Sequence, residues 1–189
     1  MAEYHEGVTY NEIIFKEDGV NFQEFEGCVF NGCDFGNCTF LAVTFIDCTF
    51  KDCSFIGTNI NYVALRSVHF NNCYMTGVNF AMCDKLIFEV RFTNCNLDFA
   101  KFYTLKLKGT MFSNCSMVAV DFMSADLTAA DLQGCDLHKA VFKNTVANKA
   151  DFTTAVNYTL NPQQNKIKKA SFSRAGIKGL LQQHQLLLD

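Results

Sequence analysis

The chain has one proline and no tryptophan in 189 residues. It also lacks any stretch approaching the ~18 consecutive apolar residues of a membrane-spanning helix. Its opening, MAEYHEGVTYNEIIF, carries three acids and no basic n-region, so no secretory leader is expected. A cytoplasmic location with no membrane contact follows as the expectation. The four histidines, His5, His69, His138 and His184, stand apart, with no HExxH or Cys–His arrangement around them. No phosphate loop, G-x-S-x-G elbow or dinucleotide fingerprint is present either. Neither an enzyme nor a cofactor or metal site is expected.

Cysteine is abundant instead, with ten in the chain. Without an export signal these read as reduced, small buried hydrophobes rather than a disulfide framework. Net charge is only -3, but residues 1 to 60 hold ten acids and two bases, and the remainder nine acids and fourteen bases. The acidic half argues against direct nucleic-acid binding, which needs Lys and Arg to displace counterions from phosphate.

The dominant signal is a period of five. Bulky apolar residues recur from Tyr10 and Phe15 through Phe30, Phe50, Phe70 and Phe80 without exception; after a two-residue slip they resume at Ile87, Phe92, Phe112 and Phe122 and run to Phe152. With about half of all residues apolar, 29 such centres would coincide on the order of once in a billion sequences. The period matches neither 3.6 nor 2, so the unit is a short turn-like segment repeated along a coil. Two residues before the centres stand Cys28, Cys33, Cys38, Cys48, Cys53, Cys73, Cys95, Cys115 and Cys135, among Val, Ala and Thr. Cys83 joins them if the first register runs one step further. These slots want a small side chain beside the large inward one. Sixteen of the twenty Phe fall on centres, which makes them core rather than stacking platforms for bases.

CVFNG, CDFGN, CTFKD and ADLTA resemble the pentapeptide-repeat family over roughly residues 10 to 157. The resemblance implies an all-β fold, a right-handed quadrilateral β-helix with four repeats per coil. Residues twenty apart would then stack, Phe30 on Phe50 on Phe70 and Cys95 on Cys115 on Cys135. At about 4.8 Å per coil the rod would reach roughly 36 Å. Residues 1–24 are expected to form an N-terminal cap, 25–157 the coil, and 158–189 a C-terminal cap ending in a short helical tail.

In that arrangement Asp121, Asp126, Asp131 and Asp136 lie on four different faces and cannot converge; only Asp131 and Asp151 would stack. Cys28, Cys33 and Cys38 likewise lie on successive faces and make no zinc site. The slip at 83–91 admits two readings, a bulge that re-phases the core or a projecting recognition element built on Asp84, Lys85, Glu89 and Arg91.

FTNCNLDFAKFYTLKLKGTMFSNC, VDFMSADLTAADLQGCDL and AVNYTLNPQQNKIKKASF resemble the Qnr quinolone-resistance proteins and the immunity proteins against gyrase-poisoning peptides. That resemblance implies a DNA-mimicking homodimer that binds DNA gyrase or topoisomerase IV and relieves poisoning. Its subunits would join through the apolar tail, with Leu180, Leu181, Leu186 and Leu187 in the interface. The long projecting loops of many Qnr proteins have no equivalent here beyond the short slip. A structural or regulatory binding module for a different bacterial partner is the alternative, because a solenoid does not dictate function.

Overall fold

Five residues cannot hold both a strand and a loop, so each repeat contributes two to four residues of extended backbone and one corner. In the computed structural model, which describes residues 3–182, the corners divide the chain into a four-sided parallel β-helix of about eight turns. Its strands are β1 (Glu3–Glu6), β2 (Thr9–Asn11), β3 (Gln23–Glu26), β4 (Val29–Asn31), β5 (Thr44–Ile46), β6 (Thr49–Lys51), β7 (Ala64–Asn71), β8 (Phe88–Thr93), β9 (Met111–Ser113), β10 (Asp151–Phe152) and β11 (Ser171–Phe172). On the first face β1, β3, β5 and β7 pair in parallel; on the second β2, β4, β6 and β7 do so. The long β7 turns the corner between these faces. The third and fourth faces are held by single bridges at the same spacing of twenty, such as Asp34↔Ser54 and Thr39↔Asn59.

Each centre side chain points inward and stacks on its counterpart one coil away. Phe30, Phe50, Phe70, Phe92 and Phe112 form one column, with successive ring centroids 4.6, 5.1, 5.3 and 5.4 Å apart and nearly parallel. Phe80, Phe102, Phe122 and Phe142 form another. Between neighbouring columns the rings meet edge to face, as Phe25 and Phe30 do at 5.4 Å and 73°. Both geometries suit the ring quadrupole, and Phe30, Phe50, Phe70, Phe92, Phe112 and Phe122 are all buried.

The slot two residues before each centre selects for more than size. The thiols of Cys48, Cys53, Cys95 and Cys135 donate to the carbonyls of Phe25, Phe30, Phe70 and Phe112 at 3.2–3.4 Å. In the same kind of slot Thr58 and Thr145 donate hydroxyls to Phe35 and Phe122, and Asn165 an amide to Phe142. A small donor therefore satisfies a carbonyl that the interior would otherwise leave unpaired. Cys28, Cys33 and Cys115 are buried in the same positions, and Cys33, Cys53, Cys73, Cys95, Cys115 and Cys135 follow one another along a single column.

The coil loses its register once. Continuing the spacing of twenty from Leu65 would bring Lys85 into the core, where an unpaired ammonium is strongly disfavoured. The chain instead extrudes Lys85, Leu86 and Ile87 and pairs Phe88 with Leu65. Arg66 and Ser67 then face the single residue Glu89, so that Val90 pairs with Val68 and the net slip is two. The expected centre Ile87 is corrected by this: it is half exposed, and Phe88, paired with Leu65, packs against the core in its place.

At the C-terminal end a 3₁₀ turn (Ala175–Ile177) and helix α1 (Lys178–Leu181) lie over the last coil. Tyr158 supports them. A methyl group at Gly176 would stand 2.0 Å from the Tyr158 hydroxyl and one at Gly179 2.2 Å from its carbonyl, so only glycine lets the segment pass so closely. Leu180 packs against the core of its own chain.

Three outcomes are expected. Phe50→Ala should cost about 3–5 kcal/mol in urea unfolding, whereas Cys53→Thr, which keeps volume and donor, should stay within about 1.5 kcal/mol. Burial pushes the Cys48 thiol from 9.0 up to about 12. The unfolded chain would lose that proton first, so this contribution is complete below pH 9 and lost as pH rises towards 12. Urea midpoints should fall between about pH 9 and pH 11, and flat midpoints would contradict the buried thiol.

Candidate interaction surface

With the interior filled by centres and slots, only the residues flanking each centre and the corners reach solvent. The corners require a left-handed residue. Gly7, Gly27, Gly57 and Gly77 supply it cheaply, but Asn72, Ala119, Ser124, Ala129 and Lys139 take it too, with φ between 54° and 58°. Each such non-glycine residue costs about 1–2 kcal/mol, offset by the coil bonds on either side. Thus Ala119 N–H donates to the His138 carbonyl and Ala129 N–H to that of Asn148.

The regularly spaced aspartates belong to these corners. Oδ1 of Asp121, Asp126, Asp131, Asp136 and Asp151 accepts the backbone N–H two residues on, at 2.8–3.0 Å, in the manner of an Asx turn. Asp131 and Asp151 pair across adjacent coils, while Asp121, Asp126 and Asp136 pair with Lys101, Lys106 and Ser116 on one side and with valines on the other. Each of these carboxylates closes a turn, Asp121, Asp126, Asp131 and Asp136 on four different faces and Asp151 on the same face as Asp131.

Charge is polarised along the first face. Glu3, Glu6, Glu24 and Glu26 flank the inward His5 and Phe25 at the N-terminal end, and Asp47 stands at the corner one coil on. The Tyr4 hydroxyl donates to Glu26 at 2.6 Å, and this bond to a carboxylate holds its own pKa up at about 12. At the other end the same face and its corner carry Lys106, Lys108, Lys149, Lys166, Lys168 and Lys169. Of these only Lys108 has an ion-pair partner among the described residues, Asp126 at 3.4 Å.

The residues singled out in the slip do not form one cluster. Asp84 accepts the Leu86 N–H at 2.9 Å and shapes the extruded turn, and Lys85 donates to Thr104 Oγ1 at 3.0 Å. Glu89 and Arg91 lie on β8, where Glu89 accepts the Ser67 hydroxyl at 3.1 Å and Arg91 pairs with His69 and Met111. Of the tail residues, Leu180 and Leu181 sit on α1, and Leu186 and Leu187 lie outside the described residues.

An open cleft of about 920 Å³ lies between the last coil and α1. No side-chain hydrogen bond joins its ionisable residues His138, Lys139, Tyr158 and Lys178. Among the described residues no group of three or more His, Cys, Asp or Glu is placed to hold a metal ion. No helix among them is long and apolar enough to cross a membrane. The arrangement offers long ordered faces rather than a pocket with converging chemistry.

Comparison with known proteins agrees with this geometry. Residues 23–86 match the family model described as "Pentapeptide repeat region", and residues 121–156 match "Pentapeptide repeats (8 copies)". No curated protein matches the sequence. Among solved structures, a trypsin-treated variant of QnrB1, a plasmid-mediated fluoroquinolone resistance protein, superposes with TM-score 0.78 at 17% identity, over 100% of this chain and 91% of that one. A second trypsin-treated variant of QnrB1 gives 0.64 at 15% identity, over 98% and 100%. HetL of the cyanobacterium Nostoc, involved in heterocyst differentiation regulation, gives 0.66 at 9% identity, over 91% and 87%. At these identities the likeness is one of fold.

Proposed function

The chain belongs to the pentapeptide-repeat family, whose models match more than half of it, and from that premise we propose that it is a non-catalytic, DNA-mimicking binding protein acting on DNA gyrase or topoisomerase IV. The observation that carries this reading is the acidic end of the first face. Glu3, Glu6, Glu24, Glu26 and Asp47 there give a rigid rod regularly spaced negative charge over three successive coils. Duplex DNA is also a rod of regular negative charge, and a groove lined with Lys and Arg for one accepts the other by the same electrostatics. Binding there would protect the enzyme from quinolones or peptide toxins by competing for the DNA-binding groove. Asp84, Lys85, Glu89 and Arg91 add contacts beside the register slip. The protein would act in the cytoplasm as a homodimer joined by its C-terminal tails.

A second reading is favoured by a specific observation. The basic end of the first face, with Lys149, Lys166, Lys168 and Lys169, is unlike a phosphate backbone, and a mixed surface suits a regulatory module with another bacterial partner. HetL shares the fold and has such a regulatory role.

Titrating the purified protein into gyrase supercoiling and ciprofloxacin cleavage assays separates the two. Relief of drug-stabilised cleavage or inhibition of supercoiling at micromolar protein supports the topoisomerase reading; no effect on gyrase or topoisomerase IV shifts the assignment to another partner. Leu180 serves its own chain's core, so the dimer is tested further along the tail. Leu186→Asp with Leu187→Asp should give monomers by light scattering, and an unchanged dimer would sink that interface.

A further inference from the structure

We propose that the first face is an interface for a second copy of this chain, packed against it antiparallel about a two-fold axis between the Phe88 and Leu107 rows. Two features support it, the order of charges along the face and the extruded turn beside the axis.

Each coil adds one row to this face, and a row takes the name of its inward residue, from Phe25 near one end to Ile167 at the other. Turning a second copy end for end reverses the order of its rows but keeps each residue's place across the face. With the axis between Phe88 and Leu107, the Phe25 row meets the Ile167 row, and Glu24 and Glu26 stand opposite Lys166 and Lys168. Asp47 then meets Lys149, and Glu89 meets Lys108, while Arg66 faces the row that carries Asp126. From the Phe25 row onward every charged flank is set against the opposite sign or a neutral residue, and the symmetry makes each pair twice. The His5 row, with Glu3 and Glu6, extends past the end of the second copy's ladder.

Other arrangements fail on charge. Two copies running in the same direction set Glu24 against Glu26 and Lys166 against Lys168. Moving the antiparallel axis by one row sets Arg66 against Lys108 in one direction, and Lys106 and Lys108 against their own counterparts in the other. Like charges held opposite one another disfavour all three. One direction and one register remain.

The register slip places its extruded turn beside that axis. Leu86 is 83% and Ile87 49% exposed, and the two-fold brings the turns of both copies to about one coil apart, ~4.8 Å, on the same side of the interface. Apolar contact between them adds to the charge pairs. A face about 34 Å long and one strand wide is small for a stable interface. The pairing is therefore weak and sensitive to salt, which screens exposed charges. It does not depend on a topoisomerase partner, and it covers the acidic rows that such a partner would use, so the two compete.

Sedimentation of the full chain at ~20 mM and ~500 mM salt tests the pairing. Low salt should raise the weight-average mass, with a Kd on the order of tens of micromolar. A dimer joined by apolar tails is not weakened by salt, so the salt-sensitive step reports this face. Glu24→Lys and Lys166→Glu should each weaken that step about tenfold or more, because each change places two like-charge contacts in the dimer. Neither residue has an ion-pair partner among the described residues, so melting temperatures should hold. The double variant, and an equimolar mixture of the two single variants, should regain the association of the unaltered chain, since opposite charges again meet across the axis. A mass indifferent to salt, single variants that associate as the unaltered chain does, or a double variant as weak as the singles would overturn the proposal. The readout is mass alone, so it stands or falls apart from the gyrase assay.

Discussion

Coil-on-coil stacking is the interaction on which everything else in this protein depends. An inward ring meets its counterpart one coil away at about the spacing of parallel strands, so aromatic contact and backbone hydrogen bonding are satisfied by the same translation. The column from Phe30 to Phe112 shows the match, with centroids 4.6–5.4 Å apart. A side chain that cannot stack breaks the coil, as the extrusion of Lys85 shows.

The stack also explains why the surface is available for binding. Centres and slots consume the interior of every coil, and the donors in the slots quiet the carbonyls beside them. What remains is a set of flat faces whose residues are under no packing constraint, together with corners that tolerate many residue types in a left-handed conformation. Charge can therefore be laid out along a face, acidic at Glu3 to Glu26 and basic at Lys166 to Lys169. A rigid rod with patterned faces is suited to presenting a surface and poorly suited to enclosing a substrate.

Much of this was legible in the text of the chain. The period of five, the inward Phe residues and the small slots follow from spacing alone, and the separation of Asp121, Asp126, Asp131 and Asp136 onto different faces from the quadrilateral coil that the family resemblance implies. Other features were not. The role of the cysteines as donors depends on where the carbonyl of the coil below falls. The aspartates gave a signal that was open to reading, an acid one residue before a centre, but their Asx bonds depend on corner geometry. Spacing assigns Ile87 to the core in place of Phe88 because both are apolar and adjacent, and it cannot tell which one the bulge turns inward.

The sequence by itself determined the coil: the residue types recur at a fixed interval, and a chain that repeats its local chemistry every five residues must repeat its local geometry. It also determined that the two ends differ in charge. Only the tertiary structure decided which distant residues share a surface. Glu24, Asp47, Glu89, Lys108 and Lys166 look unrelated along the chain and come to share one face because the coil brings residues about twenty apart into adjacent turns. The register slip then sets which of them lie side by side, through the competition between burying a lysine and extruding three residues.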